Sequence, residues 1–525
     1  ESSKHVPSGR AERVPLRQAR VQEQRRWLVG VVGPSAAAWT VTSESDPALA
    51  TRLLAFADQG PLEGLCRAQL LGSPSPTDGA QAPQGASQSA SAESNARLDD
   101  PTVLALRLAE LPVALEVLER IENLPDLHGE LGVAAARAWR LRGEYARARL
   151  LASRCPVPMA RIEAALAARR LGDRTAAAAE LAALQDADGE LGSLRAAQEG
   201  RELLDAGKVL EAEAHMRGHA PTAPLLETQS LVALARGEVA TARARLEEAR
   251  SLAINEEQLA RLEGVEGLLC HAEARPSAAL AAFQRAALRA ERAGALLEEA
   301  TYLTGVAAAA TDRGELRVAL PAAERATLLF EALQRQGEAA RAALARAASY
   351  ALLGAESELV EAAEEALWRA RAASDAICVS YVHLSLSDGL TSNSALAAFH
   401  AEEAARGLAR GTADDRLRVG ARLLAHGIDV EVAELDTLAR SASTEVRVEW
   451  WGARAHAAIE GRRVGGATER ADGILEALLA LAATPDLGVV RGPAFARGAR
   501  LAVGLGRSED ARRLLSSARA AAREL

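Results

Sequence analysis

TYLTGVAAAATDRGELRVALPAAERATLLF, residues 301–330, decides the fold. Leu303, Ala307 and Ala310 recur at helical spacing before Gly314, and Ala319, Ala323 and Ala326 do so after it. A Gly-acid pair between two such runs ends one helix and turns the chain into the next. The small side chains on both sides let the two helices approach closely. The stretch therefore predicts an antiparallel helical hairpin.

The same signature, a Gly, often an acid beside it, and Ala five positions after the Gly, returns along the chain. It stands at Gly143-Glu144 with Ala148, Gly172-Asp173 with Ala177, Gly207 with Ala212, Gly237-Glu238 with Ala242, and Gly506 with Ala511. Around Ala274-Arg275-Pro276 the register holds without the turn Gly, with Gly267 on the first helix and Ala279, Phe283 and Ala286 on the second. The intervals are 29, 35 and 30 residues from Gly143 to Gly237, then 37, 40 and 40 through Ala274 and Gly314 to Gly354. Self-similarity of this period predicts hairpins stacked in one dimension, each burying its apolar face on the next.

The pattern resembles the tetratricopeptide repeat, and its forty-residue units resemble the longer-helix variant of MalT-type activators and large bacterial signalling proteins. The resemblance implies an all-α fold: an α-solenoid of antiparallel helix hairpins, about ten of them, wound as a right-handed superhelix over residues 99–525. It also implies a protein or peptide partner held on the concave face by the first helix of each hairpin. Carried onto this chain, the groove positions are Thr301, Thr304, Ala308, Thr311 and Asp312 in the Gly314 unit. The preceding unit adds Arg261, Leu268 and His271, and the following one Arg341 and Leu344. The asparagine-lysine-arginine set that clamps a peptide carboxylate in chaperone-binding members is absent.

Between Gly354 and Gly461 the register fades. Residues 377–386, ICVSYVHLSL, form the most β-like run, expected here as a buried helix. SDGLTSN, residues 387–393, has the composition of a turn. Trp450-Trp451 and the Gly461, Gly465, Gly466 cluster predict a further hairpin with a wider connection.

Upstream of the repeats the composition changes. Residues 1–26 are polar and basic, a disordered or juxtamembrane segment, and residues 27–41, WLVGVVGPSAAAWTV, are uncharged with a Trp near each end. A basic flank and interfacial Trp residues suit a membrane span, whereas so short a run carrying Gly33-Pro34 also suits a buried or interfacial helix. Residues 42–71 read as a short helical segment. Residues 72–98, rich in Ser, Pro, Gly and Gln, read as a flexible linker that cannot bury enough surface to order itself. The chain opens on Glu1 and not Met, so the expectation is a fragment or a processed product, with a catalytic domain able to precede it. The order of Arg-rich segment, apolar run and repeats resembles a bacterial membrane-anchored Ser/Thr protein kinase. That resemblance places the repeats outside the membrane; otherwise the array is expected in the cytoplasm.

Chemistry is sparse. The net charge of −9 lacks the cationic excess that a phosphate-binding face needs, so no nucleic acid is expected. Lys4 and Lys208 are the only lysines, and Gly207-Lys208 is followed by Val209, which is not a phosphate-binding loop. Motifs of kinases, serine hydrolases and zinc proteases are missing, so within these residues no enzyme, cofactor or metal is expected. Cys66, Cys155, Cys270 and Cys378 lie far apart and read as small buried hydrophobes. Glu211, His215 and His219 have the spacing of one helical face but sit at a helix end, where structural histidines are the simpler account. His383 and His400 flank the SDGLTSN turn and could serve hydrolysis only by approaching Ser387 or Asp388, without a nucleophile motif to support it.

Overall fold

The computed structural model describes residues 118, 119, 122, 129–273, 275–461, 469–484 and 491–524. Segments 1–26, 27–41, 42–71 and 72–98, the first residues of the repeat body, and Cys66 lie outside the described residues. Among those described, every regular element is helical.

The first hairpins pair α1 (Gly129–Leu141) with α2 (Tyr145–Ser153), α3 (Pro158–Arg170) with α4 (Arg174–Ala182), and α5 (Gly189–Asp205) with α6 (Val209–His215). Next come α7 (Ala223–Ala235) and α8 (Val239–Leu252), α9 (Glu256–Ala272) and α10 (Pro276–Ala293), then α11 (Leu296–Arg313) and α12 (Leu316–Ala332). They are followed by α13 (Gln336–Leu353) and α14 (Glu356–Ala372), α15 (Ala376–Gly389) and α16 (Ser394–Leu408), then α17 (Ala413–Ala425) and α18 (Val432–Leu438). The described array ends with α19 (Thr444–Ile459) and α20 (Glu469–Leu481), and α21 (Arg491–Gly504) and α22 (Ser508–Glu524). Taken in pairs, these 22 described helices make eleven hairpins.

The turn glycines act through their backbone. Gly143, Gly172, Gly207, Gly237, Gly314, Gly354 and Gly506 all take φ between +72° and +82°, a region closed to most side chains. The residue after each Gly then donates back into the helix it leaves: Glu315 N–H reaches the Ala310 carbonyl at 2.8 Å, and Arg507 N–H that of Ala502 at 2.8 Å. Two turns between hairpins use the same geometry without glycine. Gln334 (φ 58°) and Ser374 (φ 56°) are left-handed, with Arg335 bonded to Phe330 at 2.8 Å and Asp375 to Ala370 at 2.9 Å. A count of glycines alone therefore misses part of the punctuation.

Where the sequence register fades, the hairpins continue. Residues 377–386 are helical within α15, in line with the expectation of a buried helix. The turn expected at 387–393 is shorter, because α15 runs through Gly389. That glycine marks a crossing and not a turn: a Cβ there would fall 2.9 Å from the Ala351 Cα of α13 and against Leu359 of α14. Asn393 then starts α16 by accepting from Leu396 N–H at 3.1 Å. Thr412 and Asp415 form a capping box at the start of α17.

Two compact units are distinguished: residues up to Leu225 with Glu291–Leu296, and Leu226–Ala290 with Leu297–Leu525. In the first, Ile162, Ala165, Leu181 and Leu184 form a core, and buried Arg140 donates to Glu163 at 2.7 Å between α1 and α3. In the second, overlapping local cores follow one another. One joins α9 to α13 around Phe283 and Val306, one α13 to α16 around Leu359 and Val382, and one α17 to α19 around Leu417 and Trp450. A last one joins α19 to α22 around Leu475 and Phe495. Within this unit the odd-numbered helices pack directly on one another, α13 on α15, α17 on α19, and α19 on α21. They therefore share one side of the stack, the side that first helices take in helical-repeat arrays, termed the inner side.

The Phe283 ring of α10 lies between Gly267 of α9 and Gly305 of α11, close enough that a Cβ on either would meet ring carbons at 2.5 Å and 2.9 Å. Buried Arg454 of α19 donates to the Asp436 carboxylate of α18, 2.5 Å to Oδ2, and the Trp450 indole N–H donates to the same carboxylate at 2.9 Å.

Arginine's abundance has a structural use. Arg243–Glu273 at 2.7 Å joins α8 to the turn after α9, Arg289–Glu256 at 3.0 Å and Arg285–Glu263 at 2.7 Å tie α10 to α9, and Arg325–Glu299 at 2.5 Å ties α12 to α11. The guanidinium fork reaches a carboxylate on an adjacent helix in a way that suits such cross-helix links. Among the described residues no helix is long and apolar enough to cross a membrane.

Candidate functional site

The sequence-derived groove residues divide by what holds them. Thr301 and Thr304 donate their hydroxyls to the Leu297 and Ala300 carbonyls at 2.8 and 2.9 Å, so these groups serve their own helix first. Thr311 donates to Ala307 at 2.7 Å and meets the Ser349 hydroxyl of α13 at 2.7 Å, which makes it a packing link between inner helices. Arg261 holds Glu227 at 2.9 Å and Glu257 at 3.1 Å. Arg341, well exposed, holds Asp375 at 2.9 Å. Asp312 and His271 are different. Both face charge carried by α17 and α19, several hairpins further along.

There the inner helices present a charged cluster that the motif pattern did not flag. On α17, Arg418 and Arg422 stand one turn apart, as do Glu445 and Glu449 on α19. Arg422 holds Glu449 at 3.2 Å and pairs with Asp388 of α15, while Arg418 stands 3.8 Å from Glu449. Asp312 of α11 faces Arg418 and Glu449, and Glu445 faces Asp312 and His271. All are on odd-numbered helices. Asp312 and Glu445 are half-buried, and protein surrounds them closely enough to disfavour their ionised forms. Burial, opposed by Arg418 and reinforced by Glu449, pushes the Asp312 carboxyl up to about 6. Burial and then Asp312 push Glu445 up to about 7, against the pull of His271 and Arg418.

These carboxyls make stability depend on pH in a defined direction. Their ordinary values are 3.8 and 4.5, and the folded values lie higher, so between roughly pH 4 and 7 the folded state binds more protons than the unfolded one. Stability is then fully present below about pH 4 and declines as pH rises through 6 and 7. Asp312→Asn with Glu445→Gln is expected to leave melting near pH 4 unchanged and to raise stability at pH 8 by roughly 1–2 kcal/mol, a value reduced for the water reaching both groups. Thermal melts across pH 4–8 check this, and a double variant with the wild-type slope would refute it.

The histidine candidates resolve locally. α6 ends at His215, so His219 leaves the expected face. His215 bonds Glu199 at 2.6 Å, Glu211 bonds Lys208 at 3.0 Å, and no metal-holding group occurs among the described residues. His383 and His400 do meet across α15 and α16, Nδ1 to Nδ1 at 2.9 Å. Burial lowers both of their pKa values. The possible nucleophile goes elsewhere: Ser387 bonds His426 at 3.1 Å, and Asp388 bonds Arg422 at 3.0 Å. Burial raises the thiols of Cys155, Cys270 and Cys378, the last to about 11, which keeps them protonated and unreactive.

No protein-family model and no curated protein matches the chain. Solved structures similar to it include a Rap protein complexed with competence and sporulation factor, at 13% identity over 63% of this chain and 99% of that one, with a TM-score of 0.46. The apo form of RapI is similar at 11% identity over 63% and 98% of the two chains, with a TM-score of 0.42. A STAND-type signal transduction ATPase with a tetratricopeptide repeat sensor, from Pyrococcus horikoshii, is similar at 12% identity over 83% of this chain and 65% of that one, with a TM-score of 0.36. By its own hairpins, left-handed turn glycines and small-residue helix contacts, the chain has the fold of a tetratricopeptide-type helical-repeat array.

Proposed function

We propose that the chain is a non-catalytic interaction scaffold that holds an extended peptide or a helix of a protein partner along its inner, odd-numbered helices. The observation that carries this reading is the charged cluster of Asp312, Arg418, Glu445 and Glu449, gathered from α11, α17 and α19 onto one side and left open to water. Partly desolvated charges in a groove hydrogen-bond a polar backbone or pair with side chains of opposite sign. A photo-crosslinking residue in place of Ala308, exposed on α11, tests it against the same residue in place of Leu288, exposed on α10. Adducts with a protein partner are expected from position 308 alone, and are expected to be lost when Asp312→Lys and Glu445→Lys are added. Equal adducts from both positions would exclude the inner side.

A second reading rests on residues 1–41, whose Arg-rich flank and apolar run suit a membrane-anchored signalling protein such as a bacterial Ser/Thr kinase with extracytoplasmic repeats. Deleting residues 27–41 is then expected to move the protein from the membrane fraction to the soluble one; an unchanged distribution removes that arrangement.

A further inference from the structure

α21, the last inner helix described, carries two arginines that no acid among the described residues satisfies. α21 packs through Ala494, Phe495, Gly498, Ala499, Leu501 and Ala502. Arg497, half-buried, and Arg500, exposed, stand one turn apart on its other side. Among the described residues neither guanidinium has an ion pair or a hydrogen bond. The charge that bears on Arg497 is a like one, Arg422, whose own guanidinium is held by Asp388 and Glu449. Burial and this repulsion together lower its pKa. Arg169 of the first unit is also lowered, but Asp205 and Glu202 stand beside it as counterions.

A half-buried guanidinium next to another one and without a counterion is unfavourable until an anion arrives. Each fork offers donors matched to a carboxylate. The acids around Arg422 and the net charge of −9 oppose a long polyanion and leave room for a short acidic stretch. We propose that Arg497 and Arg500, backed by Arg422, form a seat on the inner side of α21 for the acidic side chains of a bound peptide. It rests on the inner helices being the binding side.

The test titrates the full chain into fluorescein-labelled hexaglutamate, with hexalysine and inorganic phosphate as comparison probes. Wild type is expected to bind hexaglutamate saturably and in preference to both. Arg497→Gln is expected to weaken it roughly ten- to a hundredfold, the loss of a charge-assisted hydrogen bond. Arg497→Lys is expected to fall between, since it keeps the charge without the fork. The Tm of Arg497→Gln is expected to equal or exceed that of wild type, because an unpaired charge has been removed. Absence of saturable hexaglutamate binding, an affinity unchanged in Arg497→Gln, phosphate binding without peptide binding, or a lowered Tm in Arg497→Gln would each overturn the seat. Crosslinking from position 308 that persists beside such a result confines the failure to the seat; its loss would remove the scaffold reading itself.

Discussion

Asp436→Ala is expected to lower stability by about 3–5 kcal/mol, the cost of leaving a buried ionic partner uncompensated. Arg454 is 1% exposed; its guanidinium and the indole N–H of fully buried Trp450 both end on this one carboxylate. Removing the carboxylate leaves a buried cation and a buried donor without their shared acceptor. The short α18 helix that carries Asp436 has Leu435 in that core and is too short to persist alone. Asp436→Asn keeps an acceptor for the indole and should lose less. Arg454→Met removes the charge together with its need for a partner, and should also lose less than Asp436→Ala. Urea unfolding followed by tryptophan fluorescence ranks the three, and an Asp436→Ala loss no larger than that of Arg454→Met would disprove the account.

The second large effect is at Phe283. Phe283→Ala should cost about 3–5 kcal/mol, the range for emptying an aromatic site that cannot collapse. From the other side, Gly267→Leu should cost about 3 kcal/mol or more, since a side chain there must displace a ring already touching the α9 backbone. Gly267→Ala is the discriminating case. Helix propensity alone would stabilise it by about 1 kcal/mol, but its Cβ would stand 2.5 Å from a rigid ring, so the net change should be a loss. Combining Gly267→Ala with Phe283→Leu should recover part of that loss, a coupling measurable as a double-mutant cycle. A stabilising Gly267→Ala single variant would show that the ring yields freely.

How far the sequence reveals this molecule depends on how local each feature is. The Gly314 hairpin and the register that sets Gly267 and Phe283 on facing helices are legible, because the spacing of small residues along two adjacent helices determines both. That His383 and His400 flank one short turn is legible, but not that they bond each other and leave Ser387 and Asp388 to His426 and Arg422. The Thr301 and Thr304 positions could be placed from the repeat pattern, but not that their hydroxyls return to their own helix. The shortness of α18, and with it the Asp436 anchor for Arg454, leaves no periodic trace. Asp312 facing Arg418 and Glu449 is further from reach. It depends on small rotations accumulated over the intervening hairpins, and single residue identities do not encode that sum. Gly389 misleads in an instructive way: in SDGLTSN it has the composition of a turn, yet it is glycine because α13 crosses there.

The succession of local cores from α9 to α22 governs how the array comes apart. Each cluster is shared by adjacent hairpins, so coupling runs mainly between neighbours. A lesion at Asp436 should spread through the α17 to α19 cluster and fade beyond it, while amides of α9 to α12 keep their protection. Native-state hydrogen exchange would then read as a staircase of partial openings, each tread a few helices wide, in place of one shared threshold.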